Sequence, residues 1–284
     1  MIHGVLIVIA ALGALLIRQG YEVELAAPWN RRWQQALWAF AMPPLLIVIT
    51  AMAVVWMGQG GMMAAGLGGS LSYGAAVGIM ILAGLVLIAA LGLGWWSEQQ
   101  IRQFPQETVD SVPVRVMDSE RLWAAQVGWC QPSLALSRAT LERLNPSQLK
   151  AVMLHEQAHA YFRDPVLFMG LGWLRRLTWF LPRTETLWQE LVLLRELRAD
   201  RWTATHHDGL SLAEALWLFA ADGHEALRGV GIGLLDSSGQ WEHRLEALLA
   251  PPAEDETEHP IVNPCPWWMW MWLLLPLCTI PWHH

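Results

Sequence analysis

The run Leu154-His155-Glu156-Gln157-Ala158-His159-Ala160 places two imidazoles four residues apart with a carboxylate between them. On an α-helix, positions i and i+4 stand one above the other on one face, so His155 and His159 can reach a single metal ion without bending the backbone. Glu156 is rotated about 100° round the same helix. That rotation takes it out of the ligand set and towards a water held by the metal. The pattern H-E-x-x-H is that of metal-assisted hydrolysis. Zinc lowers the pKa of its bound water from about 16 to about 7, and the carboxylate takes the proton during attack.

The setting of these residues predicts a helix. Asn145 can cap it, Pro146 suits its first position and Gln148 sits three residues after the cap. Leu149, Val152 and Met153 give an apolar face beside the histidines, and Arg163-Asp164-Pro165 ends the segment and can cap the next. A catalytic zinc takes three protein ligands and keeps one position open. The candidate third ligand is Glu196, in Leu194-Arg195-Glu196-Leu197-Arg198-Ala199-Asp200 on a second helix from about Glu185 to Thr205. Asp200, one turn further on, can accept the spare N–H of a ligating histidine. The competing reading makes this a solvated face, with Glu196 and Asp200 paired to Arg195, Arg198 and Arg201. His206, His207 and His224 are available to steady an oxyanion, against an ordinary surface role for each.

The elements around this site are predicted to include membrane spans. Hydrophobic residues make up 54% of the chain and charged residues 15%, a membrane-like balance. Charge is segregated: residues 1–96 hold only Arg18, Glu22, Glu24, Arg31 and Arg32, whereas 97–264 hold 15 Lys and Arg against 23 Asp and Glu. An acidic soluble part argues against direct nucleic-acid binding. Three apolar runs, about 2–17, 36–57 and 75–96, are expected spans within a 1–96 membrane region, with Pro43 and Pro44 kinking the second. A proline-interrupted run within 261–284 is expected to form a last span, with tryptophans at both ends. The first run lacks a basic start and a small-residue cleavage site, so it is expected to be retained. Arg18, Arg31 and Arg32 in the first loop, and no charge in 58–74, put residues 97–260 in the cytoplasm. Three cysteines without a C-x-x-C pair make neither a disulfide framework nor a zinc finger.

Residues 97–260 read as an α+β, mostly helical domain. Strands are expected at Val112–Met117, limited to an edge by Pro113, and at Ala124–Val127 and Ser133–Ser137. Helices are expected at Arg138–Leu144, Pro146–Phe162 and Pro165–Leu181, the last too charged at its middle for an ordinary span and so a core or interfacial helix. Ser211-Leu212-Ala213-Glu214 reads as a capping box opening another helix, and Gln240–Leu249 as a final short one.

Pro132-Ser133-Leu134-Ala135-Leu136-Ser137, then Leu149-Lys150-Ala151-Val152 leading into His155–His159, resembles the membrane-bound zinc metallopeptidases of the BlaR/MecR antirepressor type. These are relatives of the prenyl-protein and heat-shock membrane proteases. Glu196-Leu197-Arg198-Ala199-Asp200 is similar to their second motif, and Trp241-Glu242-His243-Arg244-Leu245 to a later element; the resemblance covers roughly residues 110–250. It implies a gluzincin fold inserted among multi-pass helices of a bacterial cell membrane, with zinc on His155, His159 and Glu196 and Glu156 as the catalytic base. It also implies a protein substrate, a repressor of the BlaI type in the signalling version or damaged protein in the heat-shock version. The sequence ends at His284, so the expected protein lacks the C-terminal penicillin-binding sensor domain of the antibiotic-sensing members.

Three rival readings remain at this stage. One is an intramembrane protease with Asp236 as third ligand, which Lys150, Gln148, Arg163 and Asp164 around the motif disfavour. Another is a non-catalytic membrane sensor or scaffold that keeps the zinc site for shape. The third concerns soft-metal sensing: Met57, Met62, Met63, His3, Cys278, His283 and His284 are residue types that suit Cu(I), against ordinary membrane packing.

Overall fold

The computed structural model describes residues 2–22, 27–58, 67–128, 132–222, 240–250 and 271–283. The chain is mostly helical, with one small mixed sheet, and divides into two compact units.

The first unit comprises residues 1–90, 171–191 and 260–284. Helices α1 (Ile2–Gln19), α2 (Trp29–Met57) and α3 (Leu67–Arg102) begin where the apolar runs do or earlier, and α2 and α3 extend well beyond the predicted cores. Both are long and apolar enough to cross a membrane; α1 is a shorter apolar helix. In α1, Ala10, Ala14 and Arg18 are buried at successive i+4 positions, where the two alanines let α2 approach closely. Pro44 has no N–H to offer the carbonyl of Phe40 one turn earlier. The Arg18 guanidinium supplies the missing donor at 3.1 Å and lies 5.0 Å over the Phe40 ring. Near the start of α2, Arg32 pairs with the buried Glu190 at 2.7 Å. The end of the chain differs from expectation: Trp272–His283 is a 3₁₀ helix, not an α-helical span. Pro276 and Pro281 deprive it of two backbone donors, and twelve residues at about 2.0 Å each reach only about 24 Å. Residues 261–270 of that expected span lie outside the described residues.

The second unit comprises residues 91–170 and 192–259. Its sheet runs in the order β1-β2-β4-β3, from β1 (Gln106–Val109), β2 (Val112–Met117), β3 (Ala124–Val127) and β4 (Ser133–Ser137). β2 pairs antiparallel with β1 and parallel with β4, while β3 pairs antiparallel with β4 and forms the far edge. The expectation that Pro113 makes β2 an edge strand fails. The β4 ladder starts at Val114, past the residue without an N–H, so the proline costs that pairing nothing. Strand alternation sends Val114, Val116, Ala124, Leu134 and Leu136 to one face, against Val152, Met153 and Phe219. Met117, Ala125, Val127 and Ala135 face the other way, towards Ile101 and Trp123.

Helices α4 (Arg138–Arg143), α5 (Pro146–Tyr161), α6 (Asp164–Leu177), α7 (Thr184–His206), α8 (Gly209–Ala221) and α9 (Trp241–Leu249) complete the fold; the boundary between the units falls within α3, α6 and α7. At α5 the predicted capping box forms in full: Asn145 accepts from the Gln148 N–H, and the Gln148 side chain accepts from the Asn145 N–H. α6 stops four residues short of the predicted Leu181: the Leu181 N–H turns back to the Thr178 carbonyl, and Pro182 has no N–H with which to continue the helix. α8 starts two residues before Ser211. Asp208 is the cap, accepting from the N–H groups of Leu210 and Ser211, while Glu214 bonds Gln148 instead of reaching back.

Candidate metal centre

The sheet packs against α5 and fixes the turn of helix that carries the two histidines. His155 and His159 stack edge to face with ring centroids 4.8 Å apart, and their Nε2 atoms lie 3.2 Å from each other. α7 brings Glu196 to the same point. Its carboxylate oxygens lie 3.3 Å from His155 Nε2 and 3.6 Å from His159 Nε2, and all three residues are buried. The three side chains form a group that could hold a metal ion, with one donor atom from each within 4.8 Å of the others.

The outward nitrogens explain why the inward ones want a cation. His155 Nδ1 lies 2.9 Å from an oxygen of Asp200, and His159 Nδ1 lies 2.8 Å from Asp164. A carboxylate facing Nδ1 holds the hydrogen on that nitrogen in the neutral ring, leaving Nε2 as a lone pair. With both rings neutral, two lone pairs and a carboxylate converge in a buried place. A positive ion is what such a donor set fits.

Buried charge surrounds this point. Arg195 donates to Glu196 at 2.8 Å, and Arg244 on α9 reaches Glu196 at 3.1 Å while holding Asp200 through two bonds of 2.7 and 2.8 Å. Arg198 pairs with Asp164 and lies 4.2 Å over the Phe162 ring. Burial by itself would raise the Glu196 carboxyl, but Arg195 and Arg244 outweigh it and hold that group well below the usual carboxylate range. Asp200 is lowered against its own burial by Arg244 and His155. The competing reading of a solvated face fails here, since Glu196, Asp200, Arg195 and Arg198 are all buried.

Glu156 stands apart from the ligand set, as its position on the helix requires. One of its oxygens accepts the Gln126 N–H of edge strand β3 at 2.8 Å; the other has no hydrogen-bond partner among the described residues. Burial raises this carboxyl despite the nearby histidines. Such a group holds a proton more readily than an exposed glutamate.

Asp164, Arg244 and the edge-strand amide of Gln126 were not expected as parts of the site. His206 stacks on Trp202 and His207 bonds to Ser147, so both are engaged elsewhere. His224 and Asp236 lie outside the described residues.

Burial opposes a charge on His155, yet Asp200 and Glu196 raise it from 6.5 to about 9 in the metal-free chain. That proton stabilises the metal-free fold below pH 6.5, and its contribution fades as pH rises through about 9. A metal must displace it. Binding at pH 7 is expected to release about one proton, and affinity to fall up to about tenfold per pH unit below 9. Calorimetric titration in buffers of different ionisation enthalpy measures the release, and a buffer-independent heat would contradict it.

No family model, curated protein or solved structure matches this chain.

Proposed function

We propose that this protein is a membrane-embedded zinc metalloendopeptidase of the BlaR/MecR type, cleaving an extended segment of a cytosolic or membrane-near protein. The observation that carries the reading is the spacing of the three donors. Tetrahedral zinc with bonds of about 2.0–2.1 Å sets its ligand atoms about 3.3 Å apart. The two Nε2 atoms lie 3.2 Å apart and one Glu196 oxygen lies 3.3 Å from that of His155, close to that edge length, while the other Glu196 oxygen lies 3.6 Å from that of His159.

Zinc held there supplies Lewis acidity and an acidified water. The chain's own residues supply the rest. Asp200 and Asp164 orient the imidazoles, and Arg195 and Arg244 keep Glu196 ionised as a ligand. Glu156 takes a proton during attack and returns it to the departing amine. The Gln126 N–H fixes one Glu156 oxygen and leaves the other available for the proton. β3 is an edge strand, and an extended peptide could pair along it beside Glu156.

A multi-pass membrane position is supported by the side chains that α1 and α3 leave exposed: Val5, Val8, Ile9 and Leu12, then Ile81, Leu82, Leu85 and Ile88. Surface of that kind suits hydrocarbon, not water. With Arg18, Arg31 and Arg32 on the cytoplasmic side, the metal domain faces the cytoplasm. The signalling version of this reading makes a transcriptional repressor the substrate, and the quality-control version a damaged membrane protein.

The test is metal removal. Protein purified in detergent is expected to lose cleavage of a protein substrate when treated with phenanthroline. Activity should return with Zn2+ and not with Mg2+. Cleavage that survives complete removal of metal would sink the proposal.

A further inference from the structure

Between α6 and α7 the chain makes a tight turn, Thr178–Arg183, that presents Trp179 and Phe180 side by side. They are 78% and 61% exposed, among the most exposed large apolar side chains described. Nothing in the proposed chemistry uses them. Leu171, Leu174 and Leu187 of the flanking helices and Leu181 of the turn itself are buried, so the exposure at the tip is not that of a loosely packed hairpin.

Three observations say what covers this tip. First, Trp173 donates to the backbone carbonyl of Ala83 at 2.9 Å. Ala83 lies sixteen residues from the start of α3 and nineteen from its end, about 24 and 28 Å along the helix. Trp173 therefore meets the apolar middle of α3, where Ile81, Leu82 and Leu85 are exposed, and Trp179 follows six residues further on. Second, the turn meets part of its backbone locally, with the Leu181 N–H donating to the Thr178 carbonyl. The Thr184 hydroxyl donates to the carbonyls of Thr178 and Leu181, the Thr178 hydroxyl to that of Leu174, and Pro182 has no N–H to satisfy. Each polar group met in this way lowers the cost of bringing non-helical backbone near hydrocarbon. Third, the charges near the tip suit a headgroup layer. Arg175 is paired with Glu185 at 2.6 Å, while Arg176 and Arg183 are exposed cations beside the aromatics. Tryptophan with arginine is the pairing that the membrane interface favours.

We infer that the α6–α7 hairpin is a re-entrant membrane anchor: Trp179 and Phe180 enter one leaflet, and Arg176 and Arg183 meet its lipid phosphates. This rests on the reading of α3 as a membrane span. Anchored so, the first turns of α7 are held at the bilayer surface, and the partner of this surface is lipid, not protein.

Spin-label accessibility tests it in the full chain, with Cys130, Cys265 and Cys278 replaced by serine. The protein is reconstituted in vesicles of phosphatidylcholine and phosphatidylglycerol. Single labels are placed at Phe180→Cys, at Leu85→Cys in α3 and at Glu142→Cys on the surface of α4. The label at 180 is expected to collide more often with oxygen than with an aqueous nickel chelate, as at 85, with the order reversed at 142. An aqueous signal at 180 beside a lipid signal at 85 overturns the anchor and leaves the span reading standing. A label at 180 shielded from both probes overturns it in favour of a protein cover. An aqueous signal at 85 removes the span reading, and the anchor with it. Phe180 is exposed, so its replacement leaves the packing of the hairpin intact.

Discussion

A Glu156→Gln chain is expected to keep its metal and lose proteolysis by about two to four orders of magnitude. Glutamine matches glutamate in size and can still accept the Gln126 N–H that holds this side chain in place. It touches none of the bonds within the His155, His159 and Glu196 group. What it removes is a group able to take a proton and give it back. Elemental analysis of the purified variant measures the first expectation and a cleavage assay the second. The same variant in the cell is expected to let its natural substrate accumulate uncut, which proteomics against the parent strain would identify. A variant that cleaves at the parent's rate would take Glu156 out of proton transfer, and persistence of the cellular phenotype would favour the scaffold reading.

The second large effect concerns stability. Arg244 is fully buried and compensates two carboxylates, Glu196 and Asp200, on another helix. Removing one partner of a buried ion cluster leaves uncompensated charge in a dry interior, which costs about 3–5 kcal/mol. Arg244→Met is expected to lower the unfolding midpoint by several degrees. The loss should be largest in chelated protein and partly recovered on adding Zn2+, because a dication offsets the same two anions. Arg244→Lys should rescue little, since an ammonium cannot hold Asp200 through two parallel bonds. Thermal melts with and without chelator decide it, and an equal loss in both states would leave Arg244 a purely structural residue.

Much of the site was legible because its information is local. The i, i+4 spacing of His155 and His159, the Asn145–Gln148 cap and the turn between Glu196 and Asp200 are all written within a few residues of one another. What escaped is long-range or lacks an apolar signature. Arg244 meets Asp200 across 44 residues, and no periodicity announces such a pairing. Asp164 looked like a helix-end residue, and it is one; only the turn at Arg163, with φ of 57°, swings it back to His159. β1 is polar and largely exposed, so it carries no strand alternation. Its hairpin to β2 depends on Asp110 and Ser111, whose positive φ values of 47° and 68° come from residues less telling than Asn-Gly. β2 was misplaced for the opposite reason: the proline rule was applied to a whole strand when only one end of it was constrained.

The Arg18–Phe40 bond bears on how the chain is made. As α1 emerges, its guanidinium has no carbonyl to meet, because the acceptor that Pro44 frees lies in the helix synthesised next. An unpaired arginine costs a helix about 2.5–3.5 kcal/mol at mid-membrane and less towards its end. If α1 and α2 lie in a bilayer, they gain by leaving the insertion machinery as a pair.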